Sequence, residues 1–551
     1  MAGSVMNVVM ENMTESAPFL EKETTIIDQF NTSIFVSGVC FMFAVGYYAY
    51  ASRDPYREIP ELNPRRPFEF SDTRRARDFI KNTFETFSEG KRRFGSNPYR
   101  LFSDTGAVLV LPDDFVEEIR SDKRFDFSTG AGNDAHNYIP GFEPFGIDDS
   151  LQKIVNKYLT KALGTCANLS PRRNDYFLHD ANTTEIAKVT APLSQEAGLV
   201  IHEVIGEETD WHSLNVQETI MAVIARMSSR VFMGEELCRN KAWTDISARY
   251  TLEAFKTGDI LREYPPWMRS WVHWFLPGCQ NSRRLLQEAR ETIKPYIVKR
   301  RQIKAEALAR GKKVSFDDAI EWLEATGSRL DAATGQVMLS LVAIHTTTDL
   351  LQQTMTNIAS HPDLFEPLRQ EIVSVLSTDG LKKAALNSLK LMDSVIKESQ
   401  RLKPVSTIWR RYPTEDVTLS NGFKIKKNTR IIVNNMHMWD EKHYDNPEQF
   451  DGYRFFRMRQ TPEEGMAHLV STSRKHMGFG HGTHSCPGRF FGANEIKIAL
   501  SHLLLKYDWK LCGEPKPIGI AIGMTYGSDP TSELEFRRRE SEFDIDSLVT
   551  E

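Results

Sequence analysis

The sequence predicts a mainly α-helical domain with small β-sheets, preceded by one N-terminal transmembrane helix. Three observations carry that expectation: long stretches with apolar residues at three- and four-residue spacing, short turn-centred apolar runs between them, and one uncharged run near the N-terminus. A chain of 551 residues with 40% apolar side chains has ample material for a large core. The net charge of −5, with no long Lys/Arg run, excludes nucleic acid as the main partner. Six scattered cysteines without a CxxC pair point to reduced thiols and a cytosolic body.

The uncharged run is Ile34–Ala51, 18 residues, which as a helix measures about 27 Å and approaches the thickness of bilayer hydrocarbon. Before it stand Lys22 and five acidic residues; after it come Arg53, Arg57, Arg65 and Arg66. The positive-inside rule then places residues 1–33 in the lumen, 34–51 in the membrane and the body in the cytosol, as for a single-pass protein of the endoplasmic reticulum. A buried core helix is the alternative for a run this short. Residues 52–70 contain Pro55, Pro60, Pro64 and Pro67 and read as a hinge, leaving 71–551 as one large domain. Asn12 and Asn31 begin sequons on the expected lumenal side and are glycosylation candidates; Asn168 and Asn182 carry sequons on the cytosolic side, where they stay unmodified.

Within the domain, Phe102–Pro112 alternates around a turn and reads as a short sheet. Asn281–Gly311 is an amphipathic helix ending at a glycine. Gly335–Pro362 is apolar nearly all round until Leu351, the pattern of a helix running through the domain's middle. Leu386–Pro404 presents Leu389, Met392 and Ile396 on one stripe and stops before proline. Asn421-Gly422 between β-like runs signals a hairpin. The last helix should begin just after Pro487, so that Cys486 lies at a helix N-terminus, where the dipole and unpaired N–H groups favour a thiolate.

Cys486 admits three readings. A buried structural cysteine leaves Gly478, Gly480 and Gly482 unexplained, because such a density of glycine lets backbone approach something closely. Zinc held by His476, His481, His484 and Cys486 lacks the second ligand knuckle that structural zinc sites use. Haem iron needs one axial thiolate, since the porphyrin supplies the remaining four ligands.

The run FGHGTHSCPGRFFG resembles the cysteine loop of the cytochrome P-450 family, F-x-x-G-x-[R/H]-x-C-x-G, with Phe479, Gly482, His484, Cys486 and Gly488 on the pattern. His484 before the cysteine is similar to the fungal, secondary-metabolism branch; Gly492 stands where the family usually has Ala. Glu398 and Arg401 match E-x-x-R, and Arg454 the family's later arginine. The i,i+3 pair can be locked by that third charge into a buried network bracing the cysteine loop. The resemblance spans roughly residues 60–540 and implies the cytochrome P-450 fold.

What the resemblance implies for the site is specific. Cys486 is the axial ligand of haem b, with Phe479, Gly482, His484, Gly488, Arg410 and Arg411 holding the cofactor. Lys157 or Lys161 replaces the tryptophan and arginine that usually grip a propionate. Ala343 and Thr347 match the family's oxygen-activating helix, A-G-x-[D/E]-T-T, but Ile344 replaces Gly and Thr346 replaces the acid. Thr347 is the expected catalytic hydroxyl that relays protons, with His345 or Asp349 as substitutes for the missing acid; three threonines capping helix carbonyls are the plainer reading. Substrate contacts are expected from Phe127–Phe145, from Ala343–Thr347 including Ile344, from Pro404–Ile408 including Val405 and Ile408, and from Gly523–Gly527 including Met524.

These features imply a monooxygenase acting on a small lipophilic molecule, terpenoid-, polyketide- or alkaloid-like, with O2. Its electrons come from NADPH through a membrane-bound cytochrome P-450 reductase docking near Arg474 and Lys475. The Trp-rich stretch at Trp267, Trp271 and Trp274 suits a membrane interface, with core burial as the alternative. A haem-thiolate isomerase or dehydratase without NADPH use, and a non-catalytic haem- or lipid-binding protein, remain open at this point.

Overall fold

The computed structural model describes residues 36–47, 55–146, 154–159, 187–327, 330–513 and 519–549. The chain divides into Met1–Pro60 and Glu61–Glu551. In the first unit residues 36–47 are helical, with Phe41, Met42 and Phe43 exposed. They are the described part of the run 34–51. No helix among the described residues is long and apolar enough to cross a membrane. Asn12, Asn31, Asn168 and Asn182 lie outside the described residues.

The second unit begins ten residues before the expected boundary, because Glu61–Phe70 is bonded into it. Asn63 exchanges two hydrogen bonds of 2.8 Å with the backbone of Phe102, and Glu61 pairs with Arg75. The hinge expected over 52–70 is therefore shorter than its proline spacing implies.

The principal helices are α1 (Thr73–Lys81), α2 (Thr83–Phe94), α3 (Ala187–Ile205), α4 (Val216–Met233), α5 (Lys241–Glu263), α6 (Pro277–Ala309), α7 (Ala332–Ser360), α8 (Lys390–Leu402) and α9 (Arg489–Lys506). The main sheet has five strands: β1 (Tyr99–Ser103), β2 (Gly106–Val110), β3 (Phe125–Asp126), β4 (Ile408–Pro413) and β5 (Ile431–Asn434), in the order β1-β2-β5-β4-β3. β1 and β2 form the hairpin expected over Phe102–Pro112, and only β2 and β5 pair in parallel. A separate hairpin joins β6 (Ile520–Ile522) and β7 (Thr525–Gly527). The Asn421-Gly422 turn links Val417–Thr418 to Lys424–Ile425, with Gly422 at φ +83°.

α7 is the central member of the helical body, packing against α4, α6, α8 and α9. The Asp331 carboxylate caps it by accepting the Thr334 N–H at 3.0 Å. Ala333–Ser340 and Leu350–Met355 are buried, as an all-round apolar pattern demands. Between them Leu341–Ala343 and His345 are half-buried and Thr346 is exposed.

Two expected helices are redrawn. The single helix expected over Leu386–Pro404 breaks at Leu389 into Lys383–Ser388 and α8. The Glu371 carboxylate accepts the Leu391 and Met392 N–H groups at 2.7 and 2.9 Å, which satisfies the donors of a new N-terminus. The last helix starts at Arg489 with Gly488 as its N-cap, so Pro487 precedes the helix and does not occupy its first turn. Here the Cys486 carbonyl takes the Arg489 guanidinium at 2.8 Å, which keeps that turn in the loop.

α9 is buried from Ala493 to Lys506 and carries an acid in its core-facing run. Glu495 accepts a 2.7 Å hydrogen bond from Ser228 of α4. Burial pushes its carboxyl up to about 8. The folded state thus holds a proton that the unfolded chain releases near the ordinary glutamate value, so stability falls as pH rises from about 4.5 to about 8. Glu495→Gln should flatten that dependence and leave the variant more stable than the parent at pH 8, by of the order of 3 kcal/mol. Urea denaturation at pH 5 and pH 8 measures it; parallel pH profiles would contradict the assignment.

Candidate active site

The cysteine loop is shaped by backbone contacts to protein. The Cys486 N–H donates to the Phe479 carbonyl at 2.8 Å, closing a turn whose Gly480 and Gly482 have φ of +68° and +83°. A Cβ on Gly482 would stand 2.0 Å from the Arg120 carbonyl oxygen, which also receives the Thr483 N–H at 2.9 Å. A Cβ on Gly478 would stand 2.3 Å from the Gln400 amide oxygen. These two glycines therefore seat the loop on Arg120 and on α8. Gly488 differs, its Cβ position lying 4.0 Å from the Cys486 sulfur.

Cys486 is exposed by surface area, yet burial is the largest influence on its thiol and pushes it up. Cys486 thus has accessible surface while its thiol is surrounded by protein atoms. The Gly488 and Arg489 N–H groups and the Arg489 guanidinium pull the other way, as expected of a helix N-terminus, but burial outweighs them.

The second wall is α7. Thr347 is buried, and its hydroxyl lies 3.6 Å from the Cβ position of Gly492, six residues past Cys486 on α9. The Thr346 hydroxyl donates to the Val342 carbonyl at 3.1 Å, while the buried Thr348 hydroxyl has no partner. Burial pulls the His345 imidazole below its ordinary range. Asp349 is engaged elsewhere: one oxygen pairs with Lys403 and the other accepts the Ser528 N–H at 2.7 Å. It is thereby removed as a substitute for the missing acid.

The third wall is β4, whose alternation sends Arg410 and Arg411 to opposite faces. Arg411 is 2% exposed, donates to the His481 carbonyl at 2.7 Å and stacks 4.0 Å over Trp409. Its Nε is buried without a partner, and burial pulls the guanidinium down to about 9. Arg410 lies 4.0 Å from Asp134, which also takes Arg430 at 2.8 Å, and touches the Met524 sulfur at 3.9 Å. His484 places Nε2 3.2 Å from the Phe125 carbonyl. The Lys161 expectation lies outside the described residues, as does the Lys157 side chain.

A buried guanidinium with an unsatisfied donor and no paired carboxylate calls for an anionic group, and a thiol facing the same interior calls for a soft metal. Haem, an iron porphyrin carrying carboxylates, meets both demands, so the residues present fit it. The remaining histidines of the stretch are committed to protein: His476 is buried against the Lys397 carbonyl at 3.4 Å, and His481 faces Glu117 at 3.3 Å. Among the expected pocket residues, Ile408 and Met524 share one apolar cluster beside the sheet, Val405 is half-buried next to them, Ala343 is half-buried on α7, and Ile344 packs into the helical core.

Behind the loop, Glu398 and Arg401 are fully buried. Arg401 grips Glu398 with two bonds of 2.8 Å, and Arg454 reaches the same carboxylate at 3.0 Å. Arg401 also donates to the Met438 and Pro447 carbonyls at 2.9 and 2.6 Å. Arg474 and Lys475, expected as open positive charges, are paired with Asp113 and Asp114 and with Glu463. Sequence reasoning did not find Arg120, Trp409 or Lys403; the first acts through its carbonyl, which no side-chain pattern reveals.

Fold and site together define a haem-thiolate protein. The chain belongs to the cytochrome P-450 family, whose model, described as cytochrome P-450, matches residues 177–530. It is similar to the cytochrome P-450 monooxygenase eqxH of Fusarium heterosporum, at 49% identity over 90% of this chain and 93% of that protein. Cytochrome P-450 monooxygenase 1 of Gibberella fujikuroi is 41% identical over 81% of this chain and 99% of its own length. The monooxygenase TRI1 of Fusarium sporotrichioides is 36% identical over 94% and 92%.

Gly482→Ala should abolish haem uptake, because the obstacle is a backbone carbonyl and the φ is positive. Gly422→Ala, at φ +83° with nothing within 4 Å, should cost only about 1 kcal/mol. The haem absorbance of the two purified variants distinguishes them, and equal haem content would contradict the account of the loop.

Proposed function

We propose that this chain, a cytochrome P-450 monooxygenase, oxidises a lipophilic secondary-metabolite intermediate, terpenoid-, polyketide- or alkaloid-like, using O2 and electrons passed from NADPH by a membrane-bound reductase. The observation that carries the reading is the Cys486 thiol, exposed by surface area yet desolvated, on the loop that leads into α9, against which α7 packs with the Thr347 hydroxyl 3.6 Å from the Cβ position of Gly492. The fungal origin of the relatives and their names as monooxygenases support it.

Cys486 would hold haem iron from one side, and Arg411 and His484 would meet the carboxylates. Haem bound through a thiolate supplies oxygen activation, the thiolate favouring O–O cleavage. The chain's own part is to orient and to move protons. Thr347 offers a hydroxyl beside Gly492, and His345, half-buried and held neutral by its surroundings, is the titratable group left on this stretch once Asp349 is paired. Ala343, Val405 and Met524 provide an apolar lining that excludes water from a greasy substrate.

The test is optical and then kinetic. The reduced, CO-bound protein should show the red-shifted Soret band of thiolate ligation, and Cys486→Ser should lose it. Thr347→Ala should keep the band and substrate binding while product formed per NADPH falls by roughly tenfold or more. A band surviving Cys486→Ser ends the thiolate assignment, unchanged coupling ends the role of Thr347, and turnover without NADPH indicates an isomerase or dehydratase.

We further propose that residues 34–51 anchor the protein in the endoplasmic reticulum membrane with the domain in the cytosol. Support comes from the short helix Pro266–Val272 and its sequel, where Trp267 and Trp271 are each 75% exposed and Trp274 and Phe275 are also exposed. Exposed indole rings of this density suit an interface, and their exposure excludes core burial. Replacing Trp271 and Trp274 by Ser in a form lacking residues 1–54 should reduce its vesicle binding severalfold; undiminished sedimentation with vesicles would refute the interfacial role.

A further inference from the structure

We propose that the buried Asp349–Lys403 ion pair is a positioning device that ties the β6–β7 hairpin to α7 and so fixes the apolar wall of Met524, Val405 and Ile408 relative to Thr347. The inference rests on the functional reading above and names residues acting through others. Asp349 follows Thr347 by two positions on α7 and faces a different direction.

The tie is built from both ends. One Asp349 oxygen takes the ammonium of Lys403, whose side chain is fully buried two residues beyond Arg401; the other takes the Ser528 N–H at 2.7 Å, immediately after β7. One turn further along α7, the Gln352 amide donates to the Asp529 carbonyl at 3.1 Å. At the start of the hairpin, a Cβ on Gly519 would meet the Lys403 stem at 2.7 Å and the Tyr526 ring at 2.8 Å, so the strands close directly over the lysine. The ammonium also stands 5.9 Å from the Tyr526 ring centroid.

The hairpin's tip is held mainly by backbone and hydroxyl contacts. The Met524 carbonyl accepts the Thr407 N–H and hydroxyl at 3.0 and 3.1 Å, and the Tyr526 N–H donates to Val405 at 2.9 Å. Among the described contacts, the charged group of α7 that reaches the hairpin side is Asp349, through the Ser528 N–H, and Lys403 pairs with the same carboxylate. A largely desolvated pair of this kind is weak support for stability but a strong constraint on geometry, because the fully buried Lys403 ammonium has no water to turn to. The Met524 sulfur lies against Arg410, adjacent in β4 to the Arg411 that seats on the cysteine loop. Movement of the hairpin is therefore movement of one wall of the site.

The test uses the full-length haem protein and two probes, imidazole and 4-phenylimidazole. Both bind iron through the same nitrogen, and only the second needs room for a ring. Asp349→Ala should change the dissociation constant of 4-phenylimidazole by roughly tenfold, the scale of one lost charge-assisted bond, while imidazole binding moves less than about twofold. Lys403→Arg, which keeps the pair, should stay close to the parent. Deuterium exchange over residues 519–529 should quicken in Asp349→Ala and not in Lys403→Arg.

Both probes shifting alike, neither shifting, or exchange unchanged would overturn the proposal. Should Asp349→Ala fail to retain haem, Asp349→Asn, which preserves size and removes the charge, is judged by the same criteria. A parent protein lacking the thiolate band would defeat the functional reading, while the exchange measurement would still judge the tie.

Discussion

The structure depends on one carboxylate. Glu398 is buried with no exposed surface and is shared by two guanidiniums, Arg401 from its own helix and Arg454 from far along the chain. Three buried charges are costly to desolvate, and the arrangement persists only because nearly every donor finds an acceptor. Those acceptors are main-chain carbonyls of Met438, Asp445, Pro447 and Gln449, in a stretch without extended secondary structure. The guanidinium forks take the place of a sheet ladder there. Lysine could not substitute, because a single ammonium cannot bind a carboxylate and several carbonyls in one plane.

From this point the constraint spreads along α8. Tyr444 sits with its ring 5.0 Å from the Arg401 guanidinium and donates its hydroxyl to the Lys475 carbonyl at 3.1 Å. Lys397, one turn before Arg401, donates to the carbonyls of His468 and Ser471 at 2.7 and 3.0 Å, and burial pulls its ammonium down to about 7. Gln400 meets Gly478. Four polar positions of one helix, Lys397, Glu398, Gln400 and Arg401, thus hold the irregular stretch 438–454, the approach at 468–476 and the beginning of the cysteine loop. Loop geometry at Cys486 is set from a helix 80 residues away in sequence.

This explains which parts of the molecule were legible in sequence. Apolar periodicity revealed α6 and α7, the Asn421-Gly422 turn revealed its hairpin, and the family resemblance around Cys486, Glu398 and Arg401 pointed to the candidate site. Periodicity failed on α8. It predicts one buried stripe through Leu389, Met392 and Ile396, whereas every residue from Leu391 to Leu402 is buried. The inference that polar side chains face water fails when they satisfy one another in the interior. The same blindness hid the pairing of Asp349 with Lys403, 54 positions apart, and the break at Leu389, which depends on a carboxylate from Glu371. Gly478 and Gly482 read in sequence as sites of close approach, but not as seats for Gln400 and Arg120, because a glycine records that something comes near without recording what.

Satisfaction of polar groups also separates what belongs to the fold from what belongs to the cofactor. Around the cysteine loop His476 and His481 each have protein partners, and Arg489 spends its donors on the Val470 and Cys486 carbonyls. Glu398, Arg401 and Arg454 are closed upon themselves. Two groups differ from these in the ligand they call for: Arg411, a buried cation whose Nε lacks an acceptor, and Cys486, a desolvated thiol approached by the Gly488 and Arg489 N–H groups. A folded chain tolerates an incompletely satisfied cation beside a desolvated thiol only when something else completes both. One ligand that brings carboxylates to the first and a metal to the second would resolve the two deficits together.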